Sequence, residues 1–349
     1  MRAFFAIPGN LDAPDGGYVY ARKILPLLAK RLSIETGPLP GGFPLPGKAA
    51  LDEAAARLAA FDAPGAVLFI DGLAYGALPA ATLRALEAPL VALVHHPLGL
   101  EEGLSPSEKA HLLRTEAAAL VLARSIVVPS PGTARELTRL FGVPEGKITV
   151  AEPGILRGPR AAGAAPGDPL HIVSAGTLTP RKGFGVLADA LNEVRDLPWR
   201  ATIAGALDRS PETTALVRGK LAEFGFEDRV RLAGRLDEPG LSALYSSADL
   251  FALASFYEGY GMVFAEAMAH GLPVVASGGG AVRDTVPPAA GFVCGGGDTE
   301  AFAEALRSLL SNPPLRRGMG EAALRHGQTL PDWERTADTI ANVLKRAAP

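Results

Sequence analysis

Short apolar runs recur along this chain at the spacing of strands, separated by stretches of helical periodicity, and no other feature limits the fold as tightly. In the first half the runs are 2–7 "RAFFAI", 66–71 "AVLFID", 90–95 "LVALVH", 125–129 "SIVVP" and 147–151 "KITVA". In the second half they are 170–175 "LHIVSA", 200–205 "RATIAG", 229–234 "RVRLAG", 249–254 "DLFALA" and 273–277 "PVVAS". Strands of this length alternating with helices such as 18–32 and 105–124 are the pattern of βαβ units in a parallel sheet. Pro26 falls inside the first of those helices and is expected to kink or shorten it. A final amphipathic segment, 332–346, closes the chain.

At 349 residues the chain is long for one core, so two domains are expected. The stretch 157–169, "RGPRAAGAAPGDP", has almost no large apolar residue and reads as the linker between them. The Pro- and Gly-rich stretch 36–50 falls inside the first half and reads as an exposed loop. The expected fold class is therefore α/β, with two doubly wound parallel-sheet domains facing across a cleft. Open sheets of this kind bind ligands at the carboxyl ends of their strands.

Composition removes several function classes. The chain carries 34 basic and 37 acidic residues, a formal charge of −3, which argues against a nucleic-acid footprint. Cys294 is the only cysteine, so an intrachain disulfide or a cysteine metal cluster is excluded, and "GFVCGGGD" makes it a small buried filler at a strand end. The apolar run before Pro8 is too short for a signal-peptide core or a membrane span, which makes cytoplasmic the expected location.

Four strand ends carry chemistry. In "SAGTLTPRKGFGVLADAL", 174–191, a strand gives way to a loop holding Thr177, and a helix begins near Gly183 with Phe184, Leu187, Ala188 and Leu191 on one face. Arg181 and Lys182 stand at that helix start, where the backbone's partial positive charge disfavours cations. Either an outside anion binds between them or they are a solvated surface pair. The first loop enters its helix through Gly16 and Gly17, which allow a ligand close to the backbone or make an ordinary tight turn. Neither a dinucleotide fingerprint nor a phosphate loop of the G-x-x-x-x-G-K-[ST] type occurs.

"LVALVHHPLGL" ends a strand in His95 and His96. Either imidazole can hydrogen-bond a ligand or move a proton, or both can be structural. Successive strand residues point to opposite faces, so one of the two is expected to face the cleft. The remaining histidines lack metal-ligand spacing. A Ser-His-Asp hydrolase is disfavoured because the G-x-S-x-G elbow is missing.

The fourth stretch is "FYEGYGMVFAEAMAHGLPVVAS", 256–277. A strand ends at Ala254, and a helix is expected from about Met262 to His270, with Gly271 suited to its C′ position. The Gly259-Tyr260-Gly261 turn presents amides at that helix start, a second anion site. Glu258 stands at the mouth of the turn. Glu266 lies one to two turns further in, among Met, Val, Phe and Ala. A carboxylate in apolar surroundings needs a partner. Vicinal sugar hydroxyls would supply one; a helix N-terminal charge for Glu258 and a buried salt bridge for Glu266 are the plainer readings.

The pattern E-G-Y-G-M-V-F-A-E, with seven residues between Glu258 and Glu266, resembles the E-x7-E motif of the retaining glycosyltransferases of family 4. The resemblance extends to "GTLTPRKGFGVLADAL", "ATIAG", "VRLAGRL" and "GLPVVAS". In the first half it includes Gly16-Gly17, "VHHPL" and "VVPSPGTARELTRLFGVPEGKITVAEPG", and so covers essentially the whole chain. It implies the GT-B arrangement of two Rossmann-like domains. The N-terminal domain, 1–160, would face the acceptor, and 161–330 would hold the nucleotide-sugar donor. The segment 331–349 would pack back toward the N-terminal domain.

The resemblance implies roles as well. Arg181 and Lys182 would neutralise the donor diphosphate, and Glu266 would hold the ribose hydroxyls. Glu258 would contact the transferred sugar near the reacting centre. Amides of Gly259, Tyr260 and Gly261 would line sugar and phosphate, with Thr177, Gly16 and Gly17 also on the donor side. Arg235 and Leu236 would cover the base, and His95 matches the histidine beside the donor sugar.

The reaction implied is hexosyl transfer from a nucleoside-diphosphate sugar to an unidentified acceptor, with no cofactor and no metal. A nucleotide-sugar epimerase on the same fold, or a non-catalytic nucleotide-sugar binder, are the alternatives. The partners implied are donor and acceptor, with no nucleic acid and no transmembrane segment. Peripheral membrane contact is left open.

Overall fold

The computed structural model describes residues 2–13, 16–101, 103–165 and 167–349. It divides into two units, the first comprising residues up to 154 together with 331–349, the second Ile155–Leu330.

The first unit is built on six parallel strands in the order β2-β1-β3-β4-β5-β6: β1 (Arg2–Pro8), β2 (Ser33–Leu39), β3 (Ala66–Asp71), β4 (Leu90–Leu93), β5 (Ser125–Val128) and β6 (Ile148–Val150). Strands covered by helices on both faces read as unbroken apolar runs, and β1, β3 and β4 are buried along nearly their whole length. β2 corrects the expectation of a loop over 36–50. Its sequence, "SIETGPL", is polar and contains Gly37 and Pro38, because it is an edge strand with solvent beside it. The helix Lys48–Phe61 takes up the end of that stretch.

The helix Gly16–Ala29 contains Pro26 and stops three residues short of the expected 32. The last helix, Trp333–Ala347, belongs to this first unit. Its apolar face, including Trp333, Ile340, Ala341 and Leu344, is buried, and Trp333 packs edge-on to Tyr20 with ring centroids 5.4 Å apart. Arg31 pins its outer side through Glu334 and Asp338, each at 2.6 Å.

The second unit has six parallel strands in the order β14-β12-β10-β7-β8-β9. They are β7 (Leu170–Ala175), β8 (Trp199–Ala204), β9 (Val230–Gly234), β10 (Leu250–Leu253), β12 (Val274–Ser277) and β14 (Gly291–Cys294). Numbered within the unit, this is the 3-2-1-4-5-6 order of dinucleotide-binding sheets, whose direction of winding reverses between β7 and β10. A two-stranded ribbon, β11 (Tyr257–Glu258) with β13 (Gly279–Gly280), sits beyond the ends of β10 and β12. Cys294, expected as a buried filler, is a half-buried free thiol packed against the core.

The stretch 157–169 is not a free linker. Ala161 N donates to His270 O (2.8 Å), Ala162 N to Ser246 O (2.9 Å) and Ala164 N to the Asp249 carboxylate (3.1 Å). These bonds tie the backbone at Ala161, Ala162 and Ala164 to other parts of the second unit, and side-chain pattern gives no sign of them. Among the described residues no helix is long and apolar enough to cross a membrane.

Candidate functional site

In the second unit the site grows out of the reversal point. β7 ends at Ala175, and the chain passes half-exposed Thr177 into a single 3-10 turn, Pro180–Lys182. Gly183 then starts the helix Phe184–Glu193 from the left-handed region, φ +61°. A Cβ there would stand 1.9 Å from Ala254 O, so only glycine lets the turn close onto the end of β10. Phe184, Leu187, Ala188 and Leu191 are buried, as their spacing predicts. Arg181 and Lys182 thus precede the helix rather than sit in it. The backbone joins the two strand ends directly, with Phe256 N donating to Arg181 O at 2.8 Å.

That join brings three charges together. Lys182 Nζ donates to Glu258 Oε1 at 2.6 Å, and Ser255 Oγ donates to the same oxygen at 2.7 Å. Arg181 donates to Tyr257 O at 2.7 Å and reaches Glu258 Oε2 at 3.4 Å. The two basic side chains are therefore neither a solvated surface pair nor cations awaiting an outside anion alone: a carboxylate from the neighbouring strand already pairs with them. Burial by itself would push the Glu258 carboxyl up. The charges of Lys182 and Arg181, with the hydrogen bonds from Lys182 and Ser255, outweigh it and hold the group below the usual carboxylate range.

The helix after the Gly259-Tyr260-Gly261 turn runs Met262–Ala269, starting from Gly261 at φ +89°. Tyr260 is buried against Ile155, Ala265, Ala269 and Leu330, and its carbonyl accepts from Thr285 Oγ1. Glu266 corrects the picture of a carboxylate sunk in apolar core, because its side of the helix is half-buried. Tyr245 Oη donates to its Oε2 at 3.1 Å. Burial first, and the Glu266 charge second, drive the Tyr245 hydroxyl well above its ordinary range, so it stays a donor. Arg235 is exposed and Leu236 partly buried in the segment following β9.

In the first unit the site residues again collect at a reversal point, here between β1 and β3. His95 follows β4, and its ring lies under the start of the helix Gly16–Ala29: a Cβ on Gly17 would stand 3.1 Å from His95 Cδ2. Tyr20 packs edge-on to the same ring, centroids 5.4 Å apart. Asp71, buried at the end of β3, has Oδ2 3.5 Å from His95 Nε2, near enough for attraction but without hydrogen-bond geometry. Its Oδ1 accepts from Leu73 N at 3.0 Å. His96 turns elsewhere and pairs with Glu101 at 2.6 Å. β4 stops at Leu93, so both histidines lie in the bend beyond it rather than on alternate faces of a strand, and His95 is the one beside the glycine loop. Gly16 is exposed next to it.

Sequence reasoning named each charged residue of the second-unit cluster but missed Ser255, Ser277, Tyr245 and Asp71. Asp71 carried a readable signal, a carboxylate closing the apolar run "AVLFID". The others are common residues whose role depends on partners far along the chain.

Residues 159–326 match the family model described as Glycosyl transferases group 1, and residues 19–155 match Glycosyltransferase Family 4. The D-inositol 3-phosphate glycosyltransferase of Kineococcus radiotolerans is 30% identical over 296 residues, covering 75% of this chain and 67% of that protein. The protein of the same name from Thermobispora bispora is 30% identical over 281 residues, 74% of this chain and 65% of its own length. The chain spans about half to two thirds of the length of the curated relatives it matches. Among solved structures, sucrose-phosphate synthase from Thermosynechococcus elongatus superposes with a TM-score of 0.81 at 22% identity, covering 98% of both chains. Anabaena HepE in complex with UDP-glucose gives 0.77 at 18% identity, over 98% of this chain and 99% of that one. Two Rossmann-like sheets, the paired family models and these relatives agree: the chain belongs to glycosyltransferase family 4 and has the GT-B fold.

Proposed function

We propose that the protein transfers a hexosyl group from a nucleoside-diphosphate sugar to an acceptor hydroxyl, with retention at the anomeric carbon and without a metal ion. The observation that carries this reading is the Lys182–Glu258–Arg181 cluster at the β7/β10 reversal point. The name of the HepE complex, which holds UDP-glucose, supports the class of donor.

In this reading Lys182 and Arg181 face the diphosphate, whose negative charge grows as the bond between the anomeric carbon and the phosphate oxygen breaks. Preorganised cations are worth most at that point. Glu258 accepts a hydroxyl of the transferred sugar, and Gly259, Tyr260 and Gly261 line sugar and phosphate. Thr177 stands beside the phosphates, Glu266 takes the ribose hydroxyls, and Arg235 with Leu236 covers the base. His95, beside Gly16 and Gly17, is assigned to the donor sugar. The acceptor oxygen attacks the face the leaving group departs from, and its proton passes to the leaving phosphate oxygen. The products are the glycosylated acceptor and a nucleoside diphosphate. The relatives' names make D-inositol 3-phosphate the first acceptor to try.

The test begins with a thermal-shift screen of UDP-, GDP- and ADP-sugars, since a bound donor stabilises by mass action. Transfer with the best donor is then followed by NMR of the product anomer. Glu258→Gln and Arg181→Ala are expected to cut turnover by roughly 10²-fold or more. Wild-type turnover in either variant, or an inverted anomer, overturns the corresponding part of the reading. An epimerised donor formed without acceptor would identify an epimerase instead, and binding with no product a non-catalytic binder.

A further inference from the structure

The buried side of the Glu258 cluster has a chain of hydroxyls for which the reaction above has no role. Ser277, the last residue of β12, donates its Oγ hydrogen to Ser255 O at 3.0 Å. Ser255, two residues beyond β10, is fully buried and donates its own hydroxyl to Glu258 Oε1 at 2.7 Å. Lys182, beyond β7, completes that oxygen at 2.6 Å. Because β12, β10 and β7 are neighbours in the sheet, the chain runs straight along its carboxyl edge.

The consequence is an asymmetric carboxylate. Oε1 has two short hydrogen bonds and is saturated. Among the described residues Oε2 has only the 3.4 Å contact from Arg181, whose hydrogen-bonding nitrogen is already 2.7 Å from Tyr257 O. An ionised carboxyl has roughly four lone-pair sites. Those left open are on Oε2.

We propose that Ser255 is a positioning residue that fixes which oxygen of Glu258 is offered to the donor sugar, holding Oε1 against Lys182 so that Oε2 accepts a sugar hydroxyl. This rests on the reading of Glu258 as the sugar-contacting carboxylate. Without the Ser255 hydroxyl the carboxyl group can rotate about its terminal torsion, which is soft. Either oxygen can then take Lys182, and neither is held ready for the sugar. The diphosphate, which meets the cations, is affected far less. Ser255 therefore acts on the sugar part of the donor selectively, which a hydroxyl with a merely structural role would not do.

The readout is the ratio of affinities for a sugar nucleotide and its parent diphosphate, by titration calorimetry. The probes are UDP with UDP-glucose, GDP with GDP-mannose and ADP with ADP-glucose, using the pair that most raises the wild-type melting temperature. Ser255→Ala is expected to weaken the sugar nucleotide about 10-fold relative to its diphosphate, the effect of losing one hydrogen bond to a charged group. Ser277→Ala loosens Ser255 through its carbonyl, and is expected to move the ratio the same way by about 3-fold, about the effect of one neutral hydrogen bond. Thr336→Ala removes a buried hydroxyl bond to Glu152 O in the first unit and serves as the stability control, leaving the ratio unchanged.

An unchanged ratio in both serine variants, or equal weakening of both ligands, overturns the proposal, including where Ser255→Ala alone fails to fold. Wild-type turnover in Glu258→Gln would instead remove the reading on which it rests. Loss of turnover in Glu258→Gln with an unchanged ratio in the serine variants removes only the role of Ser255.

Discussion

Glu116 is a buried carboxyl in the middle of the helix Pro106–Leu120, 1% exposed. Its Oε2 accepts from Leu98 N at 2.8 Å, and among the described residues its Oε1 has no partner. Burial, opposed only by the Leu98 amide, raises the group from 4.5 to about 8. The folded protein therefore keeps a proton there that the unfolded chain releases above about pH 4.5, and stability falls as pH rises between the two values. At 1.36 kcal/mol per unit, the loss between pH 5 and pH 7 is about 2.5 kcal/mol.

Glu116→Gln keeps an oxygen for Leu98 N and abolishes the titration. Its amide nitrogen inherits the place without a partner, at a cost that does not depend on pH. The advantage of the glutamine variant over wild type should therefore grow by about 2.5 kcal/mol from pH 5 to pH 7. Effects of every other titrating group are common to both proteins and cancel. The chain has two tryptophans, Trp199 in the second unit and Trp333 in the first. Urea unfolding in a Trp199→Phe background then reports on the unit that contains Glu116. A difference between the two proteins that stays flat with pH would refute the reasoning.

Two further outcomes concern the cluster at β7 and β10. Lys182→Met strips Glu258 of its closest cation and should destabilise the second unit by about 3–5 kcal/mol at neutral pH, as when a buried pair loses one partner. Because the Glu258 carboxyl is depressed in the fold, the pair's stabilisation is present above the unfolded carboxylate range and lost as pH falls through the folded value. The variant's deficit, followed by Trp199 fluorescence, should shrink in acid; a deficit that grows there would be inconsistent with an ionised Glu258. Gly183→Ala should cost roughly 2–4 kcal/mol, since the left-handed backbone and the approach of Ala254 O both exclude a methyl group. An unchanged melting temperature would contradict that.

The alternation of apolar runs and helical stretches made both sheets legible in the sequence, because buried parallel strands are apolar on both faces. β2 was not legible, since an edge strand facing solvent has no such run. The segment 157–169 was misread for a related reason: its structure comes from backbone amides meeting His270 O, Ser246 O and Asp249, and side-chain pattern says nothing of that. Arg181 and Lys182 were identifiable as cations in need of a counter-charge, and Glu258 as an acid at the mouth of a turn. That they are one another's counter-charges was not, because 76 residues separate Lys182 from Glu258 and only the reversed strand order brings them side by side. His95 and His96 fall in the bend beyond β4, where strand alternation does not apply, and which one meets the glycine loop depends on the helix Gly16–Ala29 lying above it.

The helix Trp333–Ala347 has a consequence for how the protein is made. It completes the first unit, covering Tyr20 and drawing Glu152 O to Thr336, yet it leaves the ribosome only after the whole second unit. At about 5–20 residues per second, the roughly 175 intervening residues take about 10–35 s to synthesise. For that time the face around Tyr20 must do without its final cover. The nascent first unit is one helix short until the rest of the chain has been translated, so its last folding step cannot precede synthesis of its neighbour.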